Sequence, residues 1–474
     1  MHKRTMYAQD FPLYKQAGWT PPAQGAFPFL AFSLVLSNVV YLLETYLDLR
    51  QRKRLQATEP PPLLLSTLEQ VDGGAAADAT TSLRAKAVAK FNTSQEYGRA
   101  KSAFGLFSAT ARHLIEMALL LAGAHPYLWD AATRVVVRCG GDAAHTTKVS
   151  LVFAGLSVLL GELESLPFSL YFTFVVEARH NFNKTTPALF LADKLKSLAL
   201  TAAIGAPVLS ALIWIMDRGG DLLFLYLWAC LFLVALAGLT IYPTLIAPLF
   251  NAYAPLPDGE LRAAIEALAR RVRFPLTELY VVDGSRRSAH SNAYMYGFGR
   301  NKRIVMFDTL LKQVEQPELV AILGHELGHW EMGHTLRNFA VTQVYLLAML
   351  FGYGIATVAV GADLFASFGF ASDQRPALLS LILYLTALMT PADHVIHLAM
   401  NYWSRHCEFQ ADEYAVKLGY AQALQTGLCK LSLENLGNMN PDPLYSAYHY
   451  SHPPLVERLS AIMQAEGRGI KKVD

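Results

Sequence analysis

Long apolar runs separated by short polar stretches recur along most of the chain, near 26–47, 103–129, 149–176, 195–216, 222–250, 339–360 and 377–403. Each is long enough for the roughly 20 residues an α-helix needs to cross a bilayer. The pattern therefore predicts seven transmembrane helices, five within 1–250 and two within 339–403. Arg112, His113, Glu116, Glu162, Glu164 and Pro167 interrupt the second and third runs. Ionisable groups at that depth are costly and face a bundle interior or a water-filled cavity, so a hydrated interior is predicted. Were 103–129 a buried or interfacial helix, the span count would change by one.

The pattern changes in 251–338 and again in 404–474. Asp258 to Arg273 has helical periodicity, while Leu276 to Asp283 and Arg303 to Phe307 read as strands, making 251–338 an α+β insert. Between those strands Ser291 to Phe298 reads as a further strand, closed by a turn over Gly299 to Lys302. At a sheet edge, such a strand could add an extended peptide through main-chain hydrogen bonds. An ordinary hairpin is the equally available reading. The segment 55–101, with Pro60-Pro61-Pro62 and a Gly/Ala stretch at 73–79, reads as a partly mobile connection.

Composition agrees with a membrane class. The 474 residues are 53% hydrophobic and 16% charged, against roughly 25% charged in ordinary globular proteins. A net charge of +2 gives no footprint for nucleic acid. Nine lysines and arginines between Arg50 and Lys101, and four more at Arg179, Lys184, Lys194 and Lys196, predict cytosolic loops there. With seven spans this puts the N-terminus on the far side, and the 251–338 segment and the C-terminus in the cytosol. The first 25 residues are too polar for a signal peptide, which leaves the first span to direct insertion. Cys139, Cys230, Cys407 and Cys429 show no spacing for a disulfide framework or a metal.

The chemistry lies in His325-Glu326-Leu327-Gly328-His329. On a helix this H-E-x-x-H spacing puts two imidazoles one turn apart beside a carboxylate, the arrangement of a zinc hydrolase. Pro317 and Glu318 suit a first helical turn, and Leu319, Ile322, Leu323, Leu327 and Trp330 recur at helical spacing. Catalytic zinc takes three protein ligands and leaves one position for water, so a third ligand is needed. His334 lies five residues beyond His329, about 140° round a continuous helix, and is set aside. His394 and His397 sit in an apolar stretch and read as polar lining. Glu408 is the better candidate, with Asp412 four residues on and on the same face, where one carboxylate ligates and the other orients a ligand histidine. A solvated face paired with Arg405 is the bland reading of the two acids, and a plain helix residue is that of Cys407. His452, before Pro453-Pro454, is expected at a helix N-cap, where it could donate to a developing oxyanion.

With these residues in view the chain resembles the integral-membrane, zinc-dependent CAAX prenyl proteases, the family that processes farnesylated precursors such as prelamin A. Besides the two motifs above, the resemblance covers Glu44-Thr45-Tyr46-Leu47, Phe182-Asn183-Lys184-Thr185, Pro248-Leu249-Phe250-Asn251, Pro255-Leu256-Pro257, Ser291-Asn292-Ala293-Tyr294 and His452-Pro453-Pro454-Leu455. It implies seven helices around a large aqueous chamber, closed at one end by an α+β zinc protease domain built from 251–338 and 404–474. It implies one Zn2+ per chain, held by His325, His329 and Glu408, with Asp412 fixing a histidine ligand and Glu326 as general base. His452 and Asn292 would position the oxyanion and the peptide, with Ala293 and Tyr294 beside them. The substrate implied is a protein ending in a prenylated cysteine and three further residues, and the bundle is expected to contact membrane lipids. The expected location is the endoplasmic reticulum membrane, with the inner nuclear membrane as a second site; Lys471-Lys472-Val473-Asp474 resembles a cytosolic dilysine retrieval signal. The competing readings are a membrane quality-control zinc protease indifferent to prenylation and, from another class, a channel or scaffold with a structural, four-ligand metal. An intramembrane protease fits less well, since Glu318, Glu331 and Arg337 surround the metal helix.

Overall fold

The computed structural model describes residues 27–73, 82–297, 299, 301–370 and 375–470. The N-terminal 26 residues, most of the Gly/Ala stretch, Phe298, Arg300 and the dilysine tail lie outside them.

Seven helices among the described residues are long and apolar enough to cross a membrane. They are α1 (Phe29–Arg54), α3 (Leu83–Leu121), α5 (Thr146–Tyr171), α6 (Pro187–Arg218), α7 (Leu223–Ile241), α11 (His334–Ala359) and the last, formed by α13 (Ala377–Tyr384) and α14 (Thr390–Lys417) joined through a π-helical turn at Leu385–Met389. A further π turn, Phe172–Glu177, continues α5. Short helices α2 (Pro62–Val71), α4 (Ala124–Arg138) and α12 (Gly361–Ser367) connect them. The expected second span, 103–129, is cut at Gly123, whose φ of 69° turns the chain into α4. No residue in the most apolar window of α3 is buried, as expected of a helix between lipid and a hollow interior. Glu116, Glu164 and His125 line a cavity of about 700 Å³ bounded by α1, α3, α4 and α5. The other interrupting groups find partners: His113 Nε2 lies 3.2 Å from Asn38 Oδ1, and Lys194 Nζ 2.8 Å from Glu162. Burying ionisable side chains against polar partners or water is what makes them tolerable at this depth.

The segment expected to be a partly mobile connection is largely helical. Leu64, Leu68 and Val71 of α2, with Leu83, Ala87 and Phe91 of α3, are buried against Cys429, Leu433 and Leu459 of the C-terminal part. Contacts over more than 300 residues of sequence leave no local periodicity to read. Leu83 and Arg84 donate their N–H groups to Asp72, and Ser82 caps α3, so both ends of the gap are tied.

Between α7 and α11 lies a four-stranded sheet: β1 (Tyr253–Pro255), β2 (Leu276–Val282), β3 (Ala293–Tyr296) and β4 (Lys302–Phe307), in the order β1-β2-β4-β3. β2 and β4 are parallel, and the outer pairs antiparallel. The expected strands appear within a residue or two of their predicted ends, and β3 is an edge strand. Helix α8 (Glu260–Arg271), the short α9 (Leu310–Gln313) and α10 (Gln316–Glu331) pack on the sheet, α15 (Ala421–Glu434) packs on α10, and α17 (Leu455–Ile470), preceded by α16 (Pro443–His449), packs on α14 and α15. Ile265, Leu279, Ile304, Leu323, Leu327, Leu424 and Ile462 form one core there. The boundary expected between membrane helix and C-terminal segment, at 403–404, falls inside α14. One helix thus runs from the membrane span to Glu408.

Candidate active site

Helix α10 begins with a reciprocal cap, in which Glu315 N donates to Glu318 Oε2 at 2.9 Å and the Glu315 side chain accepts in return, with Pro317 in the first turn. Its apolar face, Leu319, Leu323 and Leu327, is buried. That burial fixes the rotation of the helix and turns His325 and His329 towards α14. Gly328 permits the approach: a Cβ there would lie 3.1 Å from Ala411 Cα. The two imidazole Nε2 atoms stand 3.2 Å apart. Glu408 Oε1 lies 3.3 Å from His329 Nε2, and Oε2 lies 3.5 Å from His325 Nε2.

The ligating atoms of His325, His329 and Glu408 all fall within 4.8 Å of one another, the single such group of three found among the described residues. Glu408 is buried, its carboxylate facing the two imidazoles, with Oε2 also 3.0 Å from His452 Nδ1 and 3.6 Å from Arg458 Nη1. A desolvated carboxylate oxygen facing two imidazole nitrogens is costly unless a cation joins them, and two nitrogens plus one oxygen is a catalytic zinc donor set with a position left open. The residues fit a metal ion.

Their hydrogen bonds fix both imidazoles for ligation. Asp412 Oδ1 is 2.8 Å from His325 Nδ1; it accepts a hydrogen bond from the Nδ1–H, which leaves the Nε2 lone pair free. His334 Nε2 donates to Gln410 Oε1 at 3.0 Å, so its Nδ1 accepts, at 2.9 Å, the Nδ1 proton of His329. His329 Nε2 is then also free. The geometric premise for setting His334 aside, a continuous helix, does not hold: Gly333, with a φ of 65°, ends α10 and returns His334 against His329. His334 therefore holds the His329 ring without joining the three. The Gly after the H-E-x-x-H helix was the signal.

Arg458 is the residue that motif reading missed. It clasps Asp412 with Nε–Oδ2 at 2.9 Å and Nη2–Oδ1 at 2.6 Å, its side chain 13% exposed against 2% for Asp412. Burial disfavours the guanidinium, but hydrogen bonding and charge from Asp412 outweigh this and hold it above its ordinary pKa. The signal was an arginine inside the apolar stripe of Leu455, Leu459 and Ile462.

A cleft of about 330 Å³ opens at this centre, lined on one side by Ser291, Asn292 and Ala293 and on the other by α15 and Asn435, which follows its last residue. Glu326 lines it too, and burial pushes its carboxyl up from the usual range, with the two histidines pulling the other way. Helix α17 starts at Leu455, and Pro454 O accepts the N–H of Arg458. His452 is therefore not the expected N-cap, because the two prolines stand outside the helix. Its side chain, 67% exposed, reaches Glu408 Oε2 at 3.0 Å. Asn292 Oδ1 accepts from Ala293 N at 2.8 Å.

Tyr294 stands apart from the cleft. Its hydroxyl bonds that of Tyr253 at 2.9 Å, on the face of β3 opposite Ala293 and Met295, which pack on the core. Since Phe307 N donates to Asn292 O, antiparallel alternation makes Tyr294 and Val305 a hydrogen-bonded pair and turns the main chains of Ala293 and Met295 to the free edge. Of the three residues expected at the cleft, Asn292 and Ala293 line it and Tyr294 faces Tyr253. His394 Nδ1 meets Tyr448 Oη at 2.8 Å, and neither it nor His397 belongs to the metal group.

A zincin-like helix and a carboxylate delivered by a transmembrane helix define a membrane metalloprotease. Residues 78–252 match the family described as CAAX prenyl protease N-terminal, five membrane helices, and residues 255–466 match peptidase family M48. The chain belongs to peptidase family M48, in its CAAX prenyl protease branch. It is 44% identical to the CAAX prenyl protease 1 homolog of Arabidopsis thaliana, over 92% of this chain and 98% of that one. It is 38% identical to the Homo sapiens homolog, over 94% and 97%, and 36% identical to CAAX prenyl protease 1 of Saccharomyces cerevisiae, over 92% and 96%. The crystal structure of S. mikatae Ste24p matches with a TM-score of 0.83 at 35% identity, covering 92% of this chain and 99% of that one.

Proposed function

We propose that this metalloprotease removes the last three residues from proteins ending in a prenylated cysteine, using one zinc ion held by His325, His329 and Glu408. The observation that carries the reading is the single helix α14, which runs from a transmembrane span to Glu408 and so brings the cleft next to the membrane helices. A lipidated C-terminus needs both surroundings at once, apolar for the lipid and polar for the peptide. The names of the relatives point the same way. A second, upstream cut by the same centre is a natural extension.

Zinc bound there supplies a Lewis acid for the scissile carbonyl and an acidified water. Glu326 takes the proton of the attacking water on its carboxylate and returns it to the leaving amine. Asp412, braced by Arg458, keeps the Nδ1 proton on His325. The edge groups of Ala293 and Met295 pair with the extended substrate, Asn292 swinging its amide from the Ala293 N–H to the peptide, and His452 donates to the developing oxyanion. The enzyme would lie in the endoplasmic reticulum membrane and the inner nuclear membrane with its C-terminus cytosolic, since prenylated substrates are cytosolic products. Three ligands and an open cleft argue against a purely structural metal.

The test is a farnesylated CaaX peptide against its unprenylated twin. Cleavage of the farnesylated peptide alone is expected; equal cleavage of both would make this a quality-control protease.

A further inference from the structure

The motif Phe182-Asn183-Lys184-Thr185 and the residues before β3 have no part in the chemistry above, yet they meet. Asn183 forms a β-bridge with Ser288, Ala289 N donates to Phe182 O at 3.0 Å, and Lys184 N donates to Arg287 O at 3.0 Å. This short ladder ties the loop after α5 to the chain leading into the edge strand. At its end the His290 ring stacks on Phe182, centroids 4.1 Å apart and planes at 11°.

The imidazole touches the bundle with one nitrogen and the cleft with the other. Nε2 lies 3.3 Å from Glu177 Oε2 and 3.5 Å from the hydroxyl of Tyr97, which donates to Glu177 Oε1 at 2.7 Å. Glu177 closes the π turn after α5, and Tyr97 belongs to α3 and is buried. Nδ1 lies 3.1 Å from Asn435 Oδ1, and Asn435 Nδ2 donates to Ser291 Oγ at 3.4 Å. Ser291 and Asn435 face each other across the cleft wall. The His290 carbonyl accepts from Thr309 Oγ1 at 3.0 Å, so the backbone is pinned as well as the ring.

We propose that His290 is a positioning residue for substrate, through which α3 and the end of α5 set the spacing between edge strand β3 and Asn435. His290 touches none of the metal-binding residues and not Glu326. It holds the two walls between which an extended peptide must fit. Loss of this clasp should therefore weaken peptide binding and leave the chemical step nearly intact, a split that general destabilisation would not produce. The proposal rests on the reading of this cleft as the peptide site.

The experiment uses the full-length protein in detergent with whichever of the two twin peptides the wild type cleaves, so a lost lipid requirement leaves it intact. In His290→Ala, losing two side-chain hydrogen bonds should raise KM by about tenfold, with kcat within about threefold and zinc content unchanged. His290→Gln, which keeps a donor towards Glu177, should recover part of the loss. Glu177→Gln keeps the shape and serves if His290→Ala does not fold; it should raise KM in the same direction. Glu177→Gln combined with His290→Ala should be no worse than His290→Ala alone, because one interaction is removed twice. Wild-type KM in a folded His290→Ala or Glu177→Gln, a fall confined to kcat, or additive losses in the double variant would each overturn the proposal. Failure of the wild type to cleave either peptide would instead overturn the functional reading beneath it.

Discussion

Replacing Gly328 by alanine would put a methyl group where α10 and α14 touch. The new Cβ would lie 3.1 Å from Ala411 Cα, 3.1 Å from Tyr414 Cβ and 3.2 Å from Tyr414 Cδ1. Carbon atoms prefer about 3.5–4.0 Å, so the helices must part by roughly half an ångström at this contact. Gly328 sits between His325 and His329 in sequence, and the surface it meets lies one turn beyond Glu408. Parting the helices there pulls the carboxylate from the histidines, whereas metal–ligand distances tolerate about 0.2 Å. Overpacking costs about 1–3 kcal/mol, and alanine returns about 1 kcal/mol of helix propensity. Fold stability should therefore change little, while zinc affinity should fall by about tenfold, equivalent to roughly 1.4 kcal/mol. Gly324→Ala, one turn earlier, is the control: its Cβ would meet Tyr420 Cδ2 at 3.4 Å, an ordinary contact. Competition for zinc against a chromophoric chelator, with circular dichroism to follow the fold, reads both quantities. Unchanged zinc affinity in Gly328→Ala, or an equal loss in Gly324→Ala, would refute the claim that this contact sets the metal geometry.

Glu326→Ala should abolish turnover while the protein still binds zinc, and near-wild-type turnover would remove Glu326 as the base. Glu408→Ala should lose zinc occupancy together with activity, since two histidines remain. Asp412→Asn should lose about 10–100-fold, and full zinc occupancy in Glu408→Ala would send the search for the third ligand elsewhere. A glycosylation acceptor placed near residue 75 or after Asp474 should stay unmodified while one near residue 370 is glycosylated; modification of the C-terminal acceptor would invert the topology and strand the site away from cytosolic substrates.

Much of this architecture is legible in one sequence because apolar length and helical spacing are local signals. Seven spans appear, six of them where the runs fall and the second drawn back to Leu83–Leu121, and the 325–329 and 408–412 spacings already place their side chains on single helix faces. What depends on distant partners is not legible. The 55–101 segment looked loose because the surface it buries against, Cys429, Leu433 and Leu459, lies more than 300 residues away. Arg458 stands in the apolar stripe of its helix, but only the fold shows that Asp412 is the partner beside it. His334 required knowing that Gly333 breaks the helix, and which way Tyr294 faces turned on the parity of one strand pairing, in which a shift of one residue exchanges the two faces.

The most direct test of the account is to strip the purified protein of metal, add zinc back in measured equivalents, and weigh the products formed from a farnesylated CaaX peptide. The account predicts no cleavage in the stripped protein and full activity at one zinc per chain. The product mass should be lower by the last three residues, the prenylated cysteine now carrying the new carboxyl terminus. Cleavage that persists with no metal bound, a requirement for a second equivalent, or a cut at another bond would contradict it.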